Sequence, residues 1–220
     1  MNLLDLVFPK TCLGCGGEGK YLCSNCLEKL RILKPVCPYC EKPSIDGFTH
    51  SKCRRVYGLD GLTSIWDYQG VIKKAIMALK YKYSTEVGKE LADSFVRQLL
   101  TRSDLVRGIL VPIPIHWYKE NVRGFNQSEE IGKYIARQMG WEFNPELLIK
   151  TRSTISQVEL TVKERKQNLK NTFALNSKFQ LPDSIILFDD VFTTGSTLTE
   201  AAKVLKHAGM ERVWGLTIAR

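Results

Sequence analysis

The sequence predicts an α/β fold, in which a mostly parallel sheet is flanked by helices and preceded by a small cysteine-rich module. All seven cysteines lie in the first 53 of 220 residues, whereas segments typical of strands and helices alternate from residue 62 onward. The continuous apolar run from Ile185 to Phe188 is typical of a strand that is covered on both faces of a parallel sheet. We therefore expect two domains, residues 1–57 and residues 58–220.

Hydrophobic periodicity and cap residues place the individual elements. Apolar residues at helical spacing predict helices, short apolar or alternating runs predict strands, and glycines or prolines end them. In chain order we expect a short helix over 26–33, a strand over 62–68, helices over 71–83 and 84–100, a strand over 108–113, a helix over 126–139, a strand over 184–188, a helix over 198–207 and a strand over 213–218. The helix over 126–139 has Asn126 as a polar start and Gly140 just past its end.

The composition is that of an ordinary soluble chain with a basic balance. Hydrophobic residues make up 44% and charged residues 25% of the chain, and the formal net charge is +9. No apolar run approaches the roughly 20 residues that span a bilayer, and no basic region precedes the short apolar patch at the amino terminus. We therefore expect a cytoplasmic protein. The positive charge favours an acidic partner, such as a phosphorylated substrate, a nucleic acid or an acidic protein.

The spacing of the cysteines predicts two zinc sites. Three Cys-x-x-Cys pairs are followed by a His-x-x-Cys pair, and the odd number of cysteines excludes complete disulfide pairing within one chain. Eight ligands suffice for two tetrahedral zinc ions. We favour a first site from Cys12, Cys15, Cys23 and Cys26, and a second site from Cys37, Cys40, His50 and Cys53. A cross-braced pairing of the same residues stays open, and a redox role for one pair would explain only two of them.

Residues 185–197 have the pattern of a pocket for a phosphorylated sugar. Asp189 and Asp190 follow the apolar strand, and a glycine- and hydroxyl-rich turn then leads into a helix. Ligands of open α/β sheets bind at the carboxyl ends of the strands, and N–H groups at a helix start can hold a phosphate. In the alternative interpretation, two acids simply end the strand and Thr197 forms a capping box with Glu200. Two carboxylates and four hydroxyls around one glycine exceed what a cap requires.

Two further segments are polar and basic. Residues 111–127 place Lys119 and Arg123 after the end of another predicted strand, where a pyrophosphate leaving group would need donors. Residues 150–168 lack a clean period at their start, as expected of a mobile lid over anions. Two alternatives stay open, a local ion pair for Arg123 and an exposed basic helix over 162–170.

Residues 185–197 resemble the phosphoribosyl pyrophosphate (PRPP) motif of type I phosphoribosyltransferases, and nearly the whole chain resembles the ComF family of competence proteins. The wider resemblance is carried by the cysteine-rich module, by Val-Pro-Ile-Pro and Arg-Gly-Phe-Asn-Gln within 111–127, by Arg-x(4)-Gln and Glu-Arg-x-x-Asn within 152–168, and by Asp-Asp-x-x-Thr-Thr-Gly-Ser-Thr. It implies a double zinc ribbon followed by a type I phosphoribosyltransferase domain, and a role in the uptake of transforming DNA. The chain departs from many relatives at His50, where they carry a cysteine.

The resemblance also implies roles for individual residues. Asp189 and Asp190 would be catalytic residues that hold the ribose hydroxyls of magnesium-PRPP. The 5-phosphate would be bound by Thr193, Thr194, Gly195, Ser196 and Thr197. The departing pyrophosphate would be held by Lys119, Arg123, Arg152 and Arg165. No residue stands out as a general base for the unknown nucleophile, and we expect the cysteine-rich module and residues 141–180 to build the hood that recognises it.

Two functional hypotheses follow. In the first, the chain is a phosphoribosyltransferase or retains the PRPP site of one. In the second, it is a non-catalytic adaptor of the uptake machinery, which binds single-stranded DNA through the basic stretches 10–34 and 73–82 with Tyr81 and Tyr83, and whose PRPP pocket senses the ligand. The resemblance suggests a DNA helicase of that machinery as a partner. The residues alone do not decide whether turnover occurs.

Overall fold

The computed structural model describes residues 9–79, 84–102, 107–117, 121, 124–151 and 172–220. The strands are, in chain order, β1 (Gly61–Trp66), β2 (Ile109–Pro112), β3 (Leu148–Lys150), β4 (Phe173–Leu175), β5 (Ser184–Val191) and β6 (Arg212–Ala219). The α-helices are α1 (Ser24–Glu28), α2 (Gly70–Ala78), α3 (Ser84–Leu100), α4 (Gln127–Met139) and α5 (Ser196–His207). Two short 3₁₀ turns, Ile45–Gly47 and Ser51–Cys53, lie in the cysteine-rich module.

Four strands form a parallel sheet in the order β1-β6-β5-β2, and β3 pairs with β4 in a separate antiparallel pair. Successive side chains of a strand point to opposite faces. Ile186 and Phe188 of β5 accordingly pack into one core, and Ile185 and Leu187 into another. The strand is therefore covered on both faces, which confirms the interpretation of its continuous apolar run.

Helices cover the two faces of this sheet. On one face, Ile72 of α2, Phe95 of α3 and Ile135 of α4 are buried in the same core as Phe188. On the other face, α5 buries Leu198 and Leu205. The expected α/β fold, a parallel sheet flanked by helices, is confirmed. Because the four strands are parallel, their carboxyl ends meet at one edge of the sheet.

The cysteine-rich module packs against the α/β domain. The N–H of Leu33 donates to the carbonyl of Ile65 on β1 at 2.8 Å. Leu22 is only 2% exposed, and its N–H donates to a carboxylate oxygen of Glu90 on α3 at 2.9 Å. Lys10 forms an ion pair with Glu86 of the same helix at 2.9 Å. Hydrogen bonds and apolar burial therefore hold the module in place, in addition to the chain connection.

One predicted helix is much shorter than expected. The helix expected over 26–33 is observed only as α1, Ser24–Glu28. Ile32 instead forms a bridge with Trp66, and Leu33 donates to β1. This pairing satisfies backbone groups that a longer helix would have bonded internally.

The helix expected over 126–139 is confirmed as α4. The side chain of Asn126 accepts a hydrogen bond from the N–H of Ser128 at 3.1 Å, and Gly140 ends the helix with a left-handed φ of 66°. The helix expected over 71–83 is observed as α2, and the predicted residues 80–83 lie outside the described part of the chain. In the described ranges, no helix combines the length and the apolar character needed to cross a membrane.

Candidate functional site

A cavity of about 350 Å³ opens at the carboxyl edge of the sheet. The end of β5 and the following turn, residues 189–198, form one wall, and residues 113–115 after β2 form another. Tyr68 after β1 and Lys150 at the end of β3 complete the described lining. The cavity therefore lies where the sequence predicts a ligand site, and it brings together Asp189, Asp190 and residues 193–197.

The turn between β5 and α5 has the geometry of an anion-binding loop. Gly195 is the N-cap of α5 with a φ of +65°, and a Cβ at this position would collide with the ring of Phe192. The helix begins at Ser196, so Thr197 lies inside it and is not the N-cap that the alternative capping box requires. Glu200 instead pairs with Lys203 at 2.8 Å. The first turn of α5 therefore directs N–H groups and the positive end of its dipole toward the cavity.

The carboxylate of Asp189 is held by two donors on the same oxygen. Its Oδ1 accepts a hydrogen bond from Ser128 Oγ of α4 at 3.0 Å and another from the backbone N–H of Asp190 at 2.9 Å. These bonds fix the plane of the carboxylate and leave Oδ2 for a ligand hydroxyl. Ser128 was not singled out in the sequence, because its partner lies 61 residues further along the chain.

The environment of Asp189 favours its protonated form. Burial raises the pKa of this carboxyl to about 7, and the charge of Asp190 adds to the rise. The hydrogen bonds from Asp190 and Ser128 and the positive charge of Lys150 act in the opposite direction. Burial and the charge of Asp190 also raise the pKa of Tyr68. The cavity therefore contains a half-buried acidic pair whose charge is sensitive to pH.

Lys150 is the cation that lines the cavity within the described part of the chain. Its Nζ lies 5.5 Å from the centre of the Phe173 ring, on the neighbouring strand β4. The sequence places it at the start of the polar, basic segment 150–168, although the residues selected there were Arg152 and Arg165. These two, together with Lys119 and Arg123, lie outside the described residues.

We expected the cysteine-rich module and residues 141–180 to build a hood over the site. Of their described residues, Lys150 lines the cavity. The lining includes no described residue of the cysteine-rich module, and residues 152–171 of the predicted hood lie outside the described ranges. The module contacts the carboxyl end of β1 through Leu33 and Ile65, and it contacts α3 through Leu22 and Glu90. Its expected part in the hood therefore stays a prediction.

The predicted zinc ligands form two separate clusters. In each one, the candidate ligand atoms lie within 4.8 Å of one another. The first contains Cys12, Cys15, Cys23 and Cys26, and the second contains Cys37, Cys40, His50 and Cys53. The structure thus brings these residues together in sequential order and not in a cross-braced one.

Distances within both clusters suit tetrahedral zinc. The sulfurs of Cys15 and Cys23 are 3.7 Å apart, and two thiolates on one tetrahedral zinc are about 3.8 Å apart. His50 presents Nδ1 to the sulfur of Cys40 at 3.3 Å, while its Nε2 lies 3.1 Å from the carbonyl of Pro43. A hydrogen bond donated by Nε2 to this carbonyl would leave Nδ1 as the ligand atom.

The thiols of each cluster resist joint ionisation. The hydrogen bond with Cys23 raises the pKa of Cys26 to about 12, and burial and the neighbouring thiols add to it. Burial and hydrogen bonds with Cys40 and Cys37 raise the pKa of Cys53 to about 11. A divalent cation offsets this repulsion, so zinc binding would release protons. Two zinc sites therefore fit the donor sets of the module.

Comparisons with known proteins found a matching family model, similar solved structures and curated relatives. Residues 3–56 match the double zinc ribbon domain family. Among solved structures, a glutamine PRPP amidotransferase from B. subtilis is 16% identical, covers 61% of this chain and 27% of its own, and has a TM-score of 0.41. An adenine phosphoribosyltransferase from Leishmania tarentolae is 16% identical, covers 70% of this chain and 76% of its own, and has a TM-score of 0.33.

Curated relatives match over most of their length. The DNA utilization protein YhgH of Escherichia coli K12 is 30% identical over 205 residues, which is 89% of each chain. Competence protein F of Haemophilus influenzae is 29% identical over 96% of this chain and 98% of its own. Competence protein ComFC of Bacillus subtilis is 27% identical over 86% of this chain and 79% of its own. The chain therefore belongs to the ComF family of competence and DNA-utilization proteins.

Proposed function

We propose that this chain binds magnesium-PRPP at the carboxyl edge of its sheet and acts as a phosphoribosyltransferase-like protein in DNA uptake during natural transformation. The observation that carries the proposal is that the acids, the glycine and the hydroxyls of the PRPP-like motif line one cavity of about 350 Å³. The names of the relatives, competence protein and DNA utilization protein, support the biological context.

The proposed ligand is divided among three groups of residues. Asp189 and Asp190 orient the ribose through its hydroxyls, and residues 193–197 bind the 5-phosphate through hydroxyls and backbone N–H groups. Lys150 adds a cation to the proposed pyrophosphate site of Lys119, Arg123, Arg152 and Arg165. Magnesium would neutralise phosphate charge, and the two carboxylates in the cavity are the donor type that it uses beside phosphates.

Transfer would break the bond between the anomeric carbon and the pyrophosphate oxygen and form a bond to the nucleophile. Positive charge develops on the sugar in that step, and the carboxylates of Asp189 and Asp190 would stabilise it. The cationic residues would hold the departing pyrophosphate and keep the reacting groups aligned. No described residue indicates which molecule acts as the nucleophile.

The cysteine-rich module has a structural part in this proposal. Its eight clustered side chains would hold two zinc ions, which supply folding energy that such a small module lacks on its own. We place its boundary at residues 57 and 58, as the sequence predicts. Thiols kept for zinc suit a reducing compartment, and we place the protein in the cytoplasm.

Calorimetric titration of magnesium-PRPP into the zinc-loaded chain tests the proposal. We expect binding that requires magnesium and disappears in the Asp189→Asn/Asp190→Asn variant. The matched control is Asp183→Asn/Glu211→Gln, which removes two exposed carboxylates at the opposite edge of the sheet. Failure of the folded, zinc-loaded wild type to bind would contradict the proposal.

The second candidate function is a non-catalytic adaptor that binds single-stranded DNA or a helicase of the uptake machinery. Large apolar side chains of the module are exposed, including Ile45 and Val56, each at 82%. Of the stretches predicted to bind DNA, the first has Lys10 engaged in an ion pair with Glu86. In the second, Tyr81 and Tyr83 lie outside the described residues. Salt-dependent DNA binding that survives loss of both aspartates would favour the adaptor, and its absence at low salt would exclude the DNA-binding form.

A further inference from the structure

A second cavity, of about 750 Å³, lies at the opposite edge of the sheet. One wall is formed by four residues of the cysteine-rich module, Phe48, Thr49, Ser51 and Arg54. The other is formed by Asp60 and by residues 183–184 and 211–212 at the starts of β5 and β6. We call this cavity the module–sheet cleft. Its volume lies in the roughly 300–1,000 Å³ range of ligand pockets. It is separate from the PRPP cavity, which lies beyond the other ends of the same strands.

Hydrogen bonds fix both walls of the module–sheet cleft. Thr49 donates from its hydroxyl to the carbonyl of Leu59 at 2.7 Å and from its N–H to the carbonyl of Asp60 at 2.8 Å. Asp60 in turn accepts from Lys206 Nζ at 2.7 Å and from the N–H of Val213 at 2.8 Å. The cleft is therefore preformed, which reduces the ordering that a ligand must impose.

The charged side chains of the cleft are of both signs. Arg54 and Arg212 face a lining that also contains Asp183 and Glu211. All four are exposed, and none of these side chains forms an ion pair with another described residue. A polyanion such as a nucleic acid would meet these two carboxylates and that of Asp60, as well as two guanidinium groups. The matching ligand carries both signs of charge.

The cleft also offers an apolar anchor and a buried hydroxyl. Phe48 is 52% exposed, and its ring is held edge-on to Trp214 with centroids 4.9 Å apart. Fixed, partly exposed aromatic rings are common anchors of protein interfaces. The Oγ of Ser184 is buried and has no hydrogen-bond partner among the described residues.

We propose that the module–sheet cleft binds a short segment of a partner protein, in which an apolar side chain lies between an acidic and a basic residue. The apolar side chain packs on Phe48, the acidic residue pairs with the guanidinium of Arg54 or Arg212, and the basic residue pairs with Asp183 or Glu211. The inference does not depend on PRPP binding, because the two cavities share no lining residue.

Phage display tests the inference. A library of random linear heptapeptides is selected for binding to the zinc-loaded full-length chain. We expect enrichment of segments with the acidic, apolar and basic pattern. An enriched peptide, synthesised with a fluorophore, should lose affinity roughly tenfold with Arg212→Glu and with Glu211→Lys, because each creates a like-charge contact. Arg137→Glu is the matched control, since it makes the same charge change on the exposed end of α4.

Charge reversal in the peptide separates direct contact from misfolding. A peptide whose acidic residue is replaced by lysine should regain affinity for the Arg212→Glu variant, which a misfolded variant could not provide. No enrichment, or a peptide whose affinity is equal in wild type and both variants, overturns the proposal. Displacement of the peptide by a thymidine oligonucleotide with the same sensitivity to Arg212→Glu would instead assign the cleft to nucleic acid and also overturns it.

Discussion

Ser128 and Asp189 form the contact that distinguishes this cavity from an ordinary strand end. The hydroxyl of Ser128 donates to Asp189 Oδ1 at 3.0 Å, and Ser128 is itself buried at the start of α4. The backbone of Asp190 donates to the same oxygen. Because Ser128 reaches across from a helix to the end of β5, it is placed to position the carboxylate without contacting the ligand.

Replacing Ser128 with alanine should change both the acidity of Asp189 and the affinity for magnesium-PRPP. Loss of one donor to the carboxylate should raise the pKa of Asp189 further and weaken binding roughly tenfold, whereas Ser128→Thr retains the hydroxyl and should retain both properties. Carbon NMR of the aspartate side chains and calorimetry measure the two effects.

The control for Ser128 is Ser94→Ala, another buried serine, whose hydroxyl donates to a helical carbonyl far from the cavity. If Ser128→Ala leaves the Asp189 pKa and the affinity at their wild-type values, Ser128 has no positioning role. If the wild type does not bind PRPP at all, the proposed function fails, while the effect on the pKa still tests the contact.

Asp189 should make stability depend on pH in a predictable direction. Its pKa is about 7 in the folded chain and near the ordinary 3.8 in the unfolded chain. Between these values the folded state holds a proton that the unfolded state has lost, so this group's contribution to stability falls as pH rises through the window. Asp189→Asn should therefore be more stable than wild type above pH 7, by roughly 2 kcal/mol after allowance for solvent screening, and should lose this advantage toward pH 4.

Urea unfolding of the zinc-loaded wild type and Asp189→Asn variant measures the difference in their free energies of unfolding. The range from pH 6 to pH 8 is chosen because more acidic conditions would protonate the zinc ligands. Asp183→Asn, a change at an exposed carboxylate, should show no comparable trend. An Asp189→Asn variant that is less stable than wild type at pH 8 would show that the ionised carboxylate stabilises the fold.

The N-cap residue of helix α4, Asn126, bonds the start of this helix to the residue that follows β2. Asn126 is 5% exposed, accepts from the N–H of Ser128 and donates from Nδ2 to the carbonyl of Ile113 at 3.1 Å. Asn126→Ala removes the cap and leaves that carbonyl without this donor. We expect a loss of about 1–2 kcal/mol in the free energy of unfolding, measured with urea.

Asn144→Ala is the matched control for the cap. It removes a similar side-chain bond, from the N–H of Glu146 at 3.1 Å, but at the surface of a loop. It should cost less, because water can replace an exposed bond. Equal costs for the two variants would mean that burial adds nothing at Asn126.

The sequence predicted the elements whose pattern is local. The apolar run of β5, the asparagine cap of α4 and the left-handed glycine at its end each follow from neighbouring residues. The short helix near Cys26 was predicted too long, because Ile32 and Leu33 pair with β1, more than 30 residues away. Strands β3 and β4 were missed because three residues show no usable period, and their pairing joins distant parts of the chain.

The candidate site shows the same limit. The motif at residues 189–197 was recognised because its acids, hydroxyls and glycine are contiguous. Tyr68 lines the cavity, and Ser128 bonds to Asp189, only because β1 and α4 pack around the end of β5. Nothing in the sequence next to either residue marks it. The grouping of the zinc ligands also required the fold, since their spacing allowed two pairings.

The two zinc clusters support different parts of the α/β domain. Next to the first cluster, Leu22 is buried in the core that contains Phe95 of α3, and its N–H bonds to Glu90 of that helix. Beside the second, Phe48 pairs with the start of β1 and contacts Trp214 of β6. Loss of either zinc ion should therefore destabilise its own neighbours before the whole molecule.

Hydrogen exchange can separate the two effects. Cys12→Ser should speed amide exchange in α3, and Cys37→Ser should speed it at the start of β1 and in β6, because each change removes one ligand of one cluster. Ser24→Ala, beside the first cluster but without a ligand atom in it, is the control and should leave both regions unchanged. Faster exchange over the entire α/β domain in both cysteine variants would contradict local support and indicate that module and domain unfold as one cooperative unit.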